Sequence, residues 1–433
     1  MKSLGRKLRK FRAGRRRHPF SPLDYGLKDA AQHPHNATLI TGLTNRLQKW
    51  NLAFHLQPVS ESRDVEIEGS LRISVDWDGE RICGVRVFSS RPDVTRALVG
   101  GRRAAEVQAL LPRIFSICKR AQAAAVEAAL DAARGAPPAA ARHREMEVLA
   151  EVAVEYLWRL RIDLPGLLGL PQRPAAVARL KHELERNRGT GEDWSRFLVA
   201  LQAAIEEECG GEPFAQGDPE ALREWQAACD APFAQILRAL HLAALGHGEK
   251  PPYLPCLSDA GLRQIGDALE RDVNFAKLPL HQGAPAECGA RARLIGHPLW
   301  QALPSGTSRA YQRVLARWIE LAEIPAQFTR LLAGETPGCR ILGVTLAPGH
   351  GIAGVETARG LLVHAAELVG ERVARYRIVA PTEWNFHPEG ALPADLIGLP
   401  ARAPRELAQR VDLAIQSLDP CLRHDVELVQ FHA

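Results

Sequence analysis

The chain has 433 residues, 46% of them apolar and 24% charged, with a formal net charge of +5. That length buries a substantial core, and the composition excludes a disordered or fibrous protein. No apolar run approaches the ~18 residues that a transmembrane helix needs, and no secretory h-region follows the basic start. Eight cysteines without C-x-x-C or framework spacing point to a reducing compartment, so the expected location is the cytoplasm.

Residues 1–20 carry Lys2, Arg6, Lys7, Arg9, Lys10, Arg12, Arg15, Arg16 and Arg17 and no acid, so removing these nine turns the charge into 5 − 9 = −4. The segment is predicted to be a basic, disordered, solvated arm, and no nucleic-acid partner is expected. Pro19-Phe20-Ser21-Pro22 follows the paired arginines where export through a twin-arginine signal needs an apolar stretch. Residues 21–65 have no pattern that specifies a structure. His33, His35 and His55 lie there without ligand spacing.

From 66 to 88, Ile67, Leu71, Ile73 and Val75, then Val85 and Val87, alternate around the turn signal Trp77-Asp78-Gly79, which predicts a β-hairpin. Cys83, in Arg81-Ile82-Cys83-Gly84, belongs to its second strand. The pattern turns helical from about 97 to 134, and Ala121–Ala133 has strong helix propensity. From about 143 to 333 helical periodicity dominates: Met146, Leu149, Val152, Ala153, Tyr156 and Leu157 make one apolar face, with similar faces over Asp193–Glu208, Pro219–Leu245 and Ser308–Leu332. Pro348-Gly349-His350-Gly351 reads as a tight turn leading into Glu356.

The segments that carry chemistry are short and scattered. Asp419-Pro420-Cys421-Leu422-Arg423-His424-Asp425-Val426-Glu427 resembles the D-P-C-x-x-C-x-x-H terminus of nickel-iron hydrogenase large subunits, with His424 and Glu427 in place of the second cysteine and the histidine. Ile67-Glu68-Gly69-Ser70-Leu71-Arg72-Ile73 resembles the family's I-E-G-H-L-R-I strand. Arg113-Ile114-Phe115-Ser116-Ile117-Cys118-Lys119-Arg120-Ala121-Gln122 resembles R-I-C-G-x-C-x-x-A-H, with Phe115 at the first cysteine and Gln122 at the histidine. Glu356-Thr357-Ala358-Arg359-Gly360 resembles E-A-P-R-G, and Val379-Ala380-Pro381-Thr382-Glu383-Trp384-Asn385 resembles V-x-P-T-x-W-N. All five occur in the family's order.

The resemblance implies an α+β fold of the large-subunit type over residues 66–433, with a central helical bundle and small β-hairpins near both ends. Soft thiolates select the family's metals, and here one cysteine of each pair is gone. By the resemblance Cys118 matches a bridging position that touches iron, and Cys421 a position terminal to nickel. His424 offers an imidazole as a further metal ligand. Arg96 stands where a magnesium-binding acid is expected, and a guanidinium cannot ligate a cation. Arg359, Pro381 and Thr382 match groups that contact cyanide and carbon monoxide on the iron, and Glu68 matches a proton-carrying glutamate.

This pattern is similar to that of hydrogenase assembly proteins of the HupK/HoxV type, degenerate copies of the large subunit. It implies a non-catalytic scaffold that transiently holds iron carrying cyanide and carbon monoxide, without nickel. The implied partners are the maturation proteins that deliver the iron unit and the hydrogenase large-subunit precursor that receives it. The alternative is a structural, large-subunit-like component of a redox membrane complex. Cys209, Cys229, Cys256, Cys288 and Cys339 read as small buried hydrophobes rather than ligands.

Overall fold

A computed structural model describes residues 9–11, 69–92, 98–115, 117–136, 141–209, 218–243, 251–303, 306–335 and 340–430. Glu68, Arg96, Cys339 and the histidines between 21 and 65 lie outside the described residues. Of the basic segment expected to be a disordered arm, Arg9–Phe11 form a short strand, β1.

Strands β2 (Ser70–Trp77) and β3 (Ile82–Ser89) form the expected hairpin. Its turn is fixed by Asp78, whose Oδ1 accepts the backbone N–H groups of Glu80 and Arg81 at 2.8 Å each, and by Gly79 at a φ of +105°. Leu71, Ile73, Val75 and Trp77 alternate onto the buried face.

An isolated two-stranded hairpin is marginally stable in water, and here it is not isolated. The last strand, Arg423–Gln430, lies parallel to β2 in the register Ser70 opposite Arg423 through Trp77 opposite Gln430, and β1 pairs antiparallel on its outer side. The small hairpin expected toward the N-terminal end is part of a larger arrangement, because one mixed four-stranded sheet brings the first and last strands together. Because β2 and the last strand run parallel, the start of β2, the end of β3 and the start of the last strand meet at one end of this sheet.

The second sheet is an antiparallel meander of β4 (Ile341–Ala347), β5 (His350–Thr357), β6 (Gly360–Val369) and β7 (Arg372–Val379). Gly349, at a φ of +79°, makes the tight turn between β4 and β5. After the short helix α1 (Ala104–Ile114), helix α2 (Lys119–Ala133) lies across the meander. Most of its alanines are buried, and Gly343 and Gly351 of the sheet lie against it. An added Cβ at Gly351 would stand 2.2 Å from the nitrogen of Ala133 and 2.3 Å from the oxygen of Ala129. Thr345 Oγ1 also donates to the Ala132 carbonyl at 2.6 Å.

The rest is a helical bundle built around α3 (Ala141–Trp158), α4 (Ala175–Arg186), α5 (Gly191–Cys209), α6 (Pro219–Ala228), α7 (Pro232–Ala243) and α8 (Arg309–Leu332). Trp194, Phe197 and Phe328 pack with ring centroids 5.6–6.3 Å apart, and Phe233 stacks on Trp318 at 4.5 Å. The periodicity over Pro219–Leu245 resolves into two helices, because Pro232 lacks the N–H that would continue α6 and instead occupies a first-turn position of α7. Among the described residues, no helix is long and apolar enough to cross a membrane.

Gly351→Ala should lower the unfolding free energy by about 1–3 kcal/mol or more, since backbone opposes backbone there and nothing can rotate away. Chemical denaturation of the two proteins measures it.

Candidate functional site

Cys118 and Cys421 are 303 positions apart, yet both line one cavity with Arg91, Phe115, Ile117, Gln122, Thr357, Arg359, Leu362, Ala380, Pro381 and Leu422. Its volume is about 20 Å³, room for roughly one water molecule.

Cys118 stands at the N-cap of α2. It does not cap that helix itself. The carboxylate of Glu151, on α3, accepts the backbone N–H groups of Arg120 and Ala121 at 3.0 Å each and so holds the helix start that carries the thiol. Burial raises the Glu151 pKa to about 7 against the pull of those two N–H groups. Burial also pushes the Cys118 thiol up to about 12, reinforced by Cys421 and Glu151 and opposed by Arg359 and by a long contact from Gln122 Nε2 at 3.8 Å.

Arg359 sits at the tip of the tight turn between β5 and β6 and is nonetheless buried, 4% exposed. Its backbone N–H donates to Thr357 Oγ1 at 3.1 Å, and its carbonyl accepts Asn385 Nδ2 at 3.0 Å. The guanidinium donates to Glu155 at 2.7 Å and lies 3.2 Å from Asp419 Oδ1. Gly360, which follows at a φ of +127°, is pressed against Cys288, whose sulfur would lie 2.2 Å from an added Cβ. Cys288 is thus buried behind the Arg359 turn, and its sulfur faces the carbonyls of Arg359 and Pro381.

Pro381 opens the short helix α9 (Pro381–Asn385). The fully buried Thr382 faces Cys421, with Oγ1 2.9 Å from its sulfur and 3.4 Å from its backbone nitrogen. His424 is half-buried on the last strand, opposite Leu71, and is not among the cavity-lining residues. Phe115 fills its side of the cavity with a ring, where no metal donor is available.

Two groups that local sequence gave no reason to single out complete the site. Arg91, just beyond β3, donates from Nη2 to the Cys421 sulfur at 3.3 Å. Arg159 begins a π-helical turn, Arg159–Asp163, that continues α3, and it grips Asp419 through Nε at 2.8 Å and Nη2 at 2.6 Å. Such turns often mark functional positions. Burial alone would raise the Asp419 pKa, but Arg159, Arg359 and Arg317 overcome it and hold the carboxyl near 2.

Asp419→Asn should cost about 3–5 kcal/mol by leaving Arg159 and Arg359 buried without their shared anion. The folded-state pKa lies below that of an unfolded aspartate, so the Asp419 contribution is complete above about pH 4 and is lost as pH falls toward 2. The wild type should lose stability more steeply than the variant over that window in acid titrations. Glu151 has the opposite sign. Its folded pKa is raised, so its contribution is complete below about pH 4.5 and falls, by on the order of 3 kcal/mol, as pH rises through 7. Glu151→Gln should therefore be less harmful at pH 8 than at pH 5 when denaturation midpoints are compared.

Known proteins place this architecture. The nickel-dependent hydrogenase family model matches residues 300–426, the stretch that carries Arg359, Pro381, Thr382, Cys421 and His424. The hydrogenase expression/formation protein HoxV of Cupriavidus necator is 28% identical over 365 residues, covering 79% of this chain and 93% of its own length. The hydrogenase expression/formation protein HupK of Bradyrhizobium diazoefficiens is 29% identical over 370 residues, covering 83% and 96%. Among solved structures, the Ni-Fe-Se hydrogenase of D. vulgaris Hildenborough superposes with a TM-score of 0.53 at 15% identity, over 82% of this chain and 97% of that one. An NAD+-reducing [NiFe]-hydrogenase gives 0.52 at 17%, over 82% and 96%. The α+β fold is that of hydrogenase large subunits, and in sequence the chain is similar to hydrogenase expression/formation proteins of the HupK/HoxV type.

Proposed function

We propose that this protein serves in the maturation of nickel-iron hydrogenase as a non-catalytic scaffold, holding an iron that carries cyanide and carbon monoxide and passing it to the hydrogenase large-subunit precursor. The observation that carries the reading is the meeting of Cys118 and Cys421 in one cavity with Arg359 and Pro381. Relatives named as hydrogenase expression/formation proteins support a role in maturation.

The donor set suits that cargo. Two thiolates are soft ligands for the iron, and a planar, permanently charged guanidinium suits cyanide nitrogen. Phe115, at one of the two remaining cysteine positions, has no donor atom, and this disfavours a complete two-metal centre. Transfer is then an exchange of thiolate ligands. Two anchors accept the iron unit, and an acceptor with four outcompetes them.

The cavity volume bears on release. A cavity of about 20 Å³ has room for roughly one water-sized group, fewer than the groups of an iron with three diatomic ligands. Loading therefore spreads the cavity walls, and closure after departure favours handing the cargo on. Cys118, Cys421 and Arg359 around one cavity also disfavour the alternative of a purely structural subunit, which has no use for the thiols.

Protein purified anaerobically from cells that express the maturation machinery should show cyanide and carbonyl infrared bands with iron and little nickel. Cys118→Ala or Cys421→Ala should abolish the bands and block hydrogenase maturation. Normal maturation with both cysteines replaced would sink the proposal.

A further inference from the structure

We propose that Arg91 sets the metal specificity of the cavity: its guanidinium holds the Cys421 sulfur as a fixed counter-cation, so the site takes an uncharged iron unit carrying two cyanides and disfavours a bare divalent ion. This rests on the scaffold reading in treating the cavity as a metal-cargo site.

The placement of Arg91 is built by three independent contacts. Gly69, at a φ of +75°, lies so close that an added Cβ would stand 2.6 Å from Arg91 Cα and 2.8 Å from its nitrogen. The strands on either side are clamped: Ser70 N donates to Ser90 Oγ at 2.9 Å, and Ser90 N donates to the Ser70 carbonyl at 2.8 Å. The side chain, only 17% exposed, then spans Glu383 Oε1, 3.0 Å from Nε, and Cys421 Sγ, 3.3 Å from Nη2. Glu383 is itself buried and also accepts Ser89 Oγ at 3.3 Å. The arginine is thus aimed at the sulfur by a braced carboxylate rather than resting there by default.

The charges agree with that placement. Iron(II) with two cyanides is uncharged and two thiolates bring the loaded site to −2, facing the guanidinium groups of Arg91 and Arg359, which also pair with Glu383, Glu155 and Asp419. A bare divalent ion on the Cys421 sulfur would face a guanidinium in the same poorly screened space and would have to displace its N–H donor. An uncharged side chain at 91 removes both obstacles, and the two thiols can then bind nickel, releasing their protons to the buffer.

The test uses nickel ion alone. Full-length, metal-free wild type, Arg91→Met, Arg91→Gln and Arg91→Met/Cys421→Ala are titrated anaerobically with nickel chloride. Sulfur-to-nickel charge-transfer absorption and bound nickel are read, and circular dichroism establishes that each variant is folded. The neutral variants should bind nickel about tenfold or more tightly than the wild type, and the added Cys421→Ala should remove the gain. Wild type binding as tightly as the folded neutral variants would overturn the assignment. Iron loading plays no part in this readout, so absent infrared bands would defeat the scaffold reading while leaving the nickel result to decide the role of Arg91.

Discussion

The carboxylate of Asp419, sealed from water and gripped by Arg159 on one side and Arg359 on the other, is the constraint on which the site depends. It belongs to the residue that ends the helix Pro404–Leu418, in a left-handed conformation at a φ of +59° that aspartate tolerates better than most side chains. From that turn the chain passes through Pro420 to Cys421 and into the last strand. One ionic junction therefore fixes three elements at once: the π-helical turn of the bundle, the β5–β6 turn of the meander, and the C-terminal segment with its thiol.

Burying these charges is tolerable only because each has a partner. Arg359 is shared between Glu155 and Asp419, and Arg159 between Asp419 and Asp163. A parallel set lies along α8, where Arg309, Arg313 and Arg317 recur at four-residue spacing and are all buried. Arg313 reaches Glu287 and Asp395, and Arg317 donates to the Ser417 carbonyl at 2.6 Å. The helix before Asp419 is thus tied to the bundle by arginine ladders rather than by apolar contact alone. A site built this way is lined by two guanidinium groups, Arg91 and Arg359, each held in place by a buried carboxylate.

The hairpin around Asp78 was legible in the sequence because alternation and turn chemistry are local, and so was the helix starting at Cys118, because alanine propensity is local. The unit positions of Arg359, Pro381 and Cys421 were legible through short motifs. Arg91 was not, because its significance depends on the register of a parallel strand more than 300 residues away. The arginines of α8 were equally hidden, because their partners Glu287, Asp395 and the Ser417 carbonyl lie on other elements. Gly351 reads in the sequence as part of the tight turn before Glu356, whereas in the fold it and Gly343 admit a helix at backbone contact.

The sequence by itself determined which chemistry the chain retains: two thiols of a four-cysteine pattern, an arginine and a proline–threonine pair, each in order along the chain. Covalent identity and local periodicity suffice for that. Only the tertiary structure decided that the two thiols share a cavity and that a second guanidinium reaches one of them. It also showed that His424 stands apart from the cavity lining. Those outcomes depend on the parallel insertion of the last strand beside β2 and on the close seat of α2 against the glycines of the meander, and non-local contacts of this kind leave no periodic trace in the sequence.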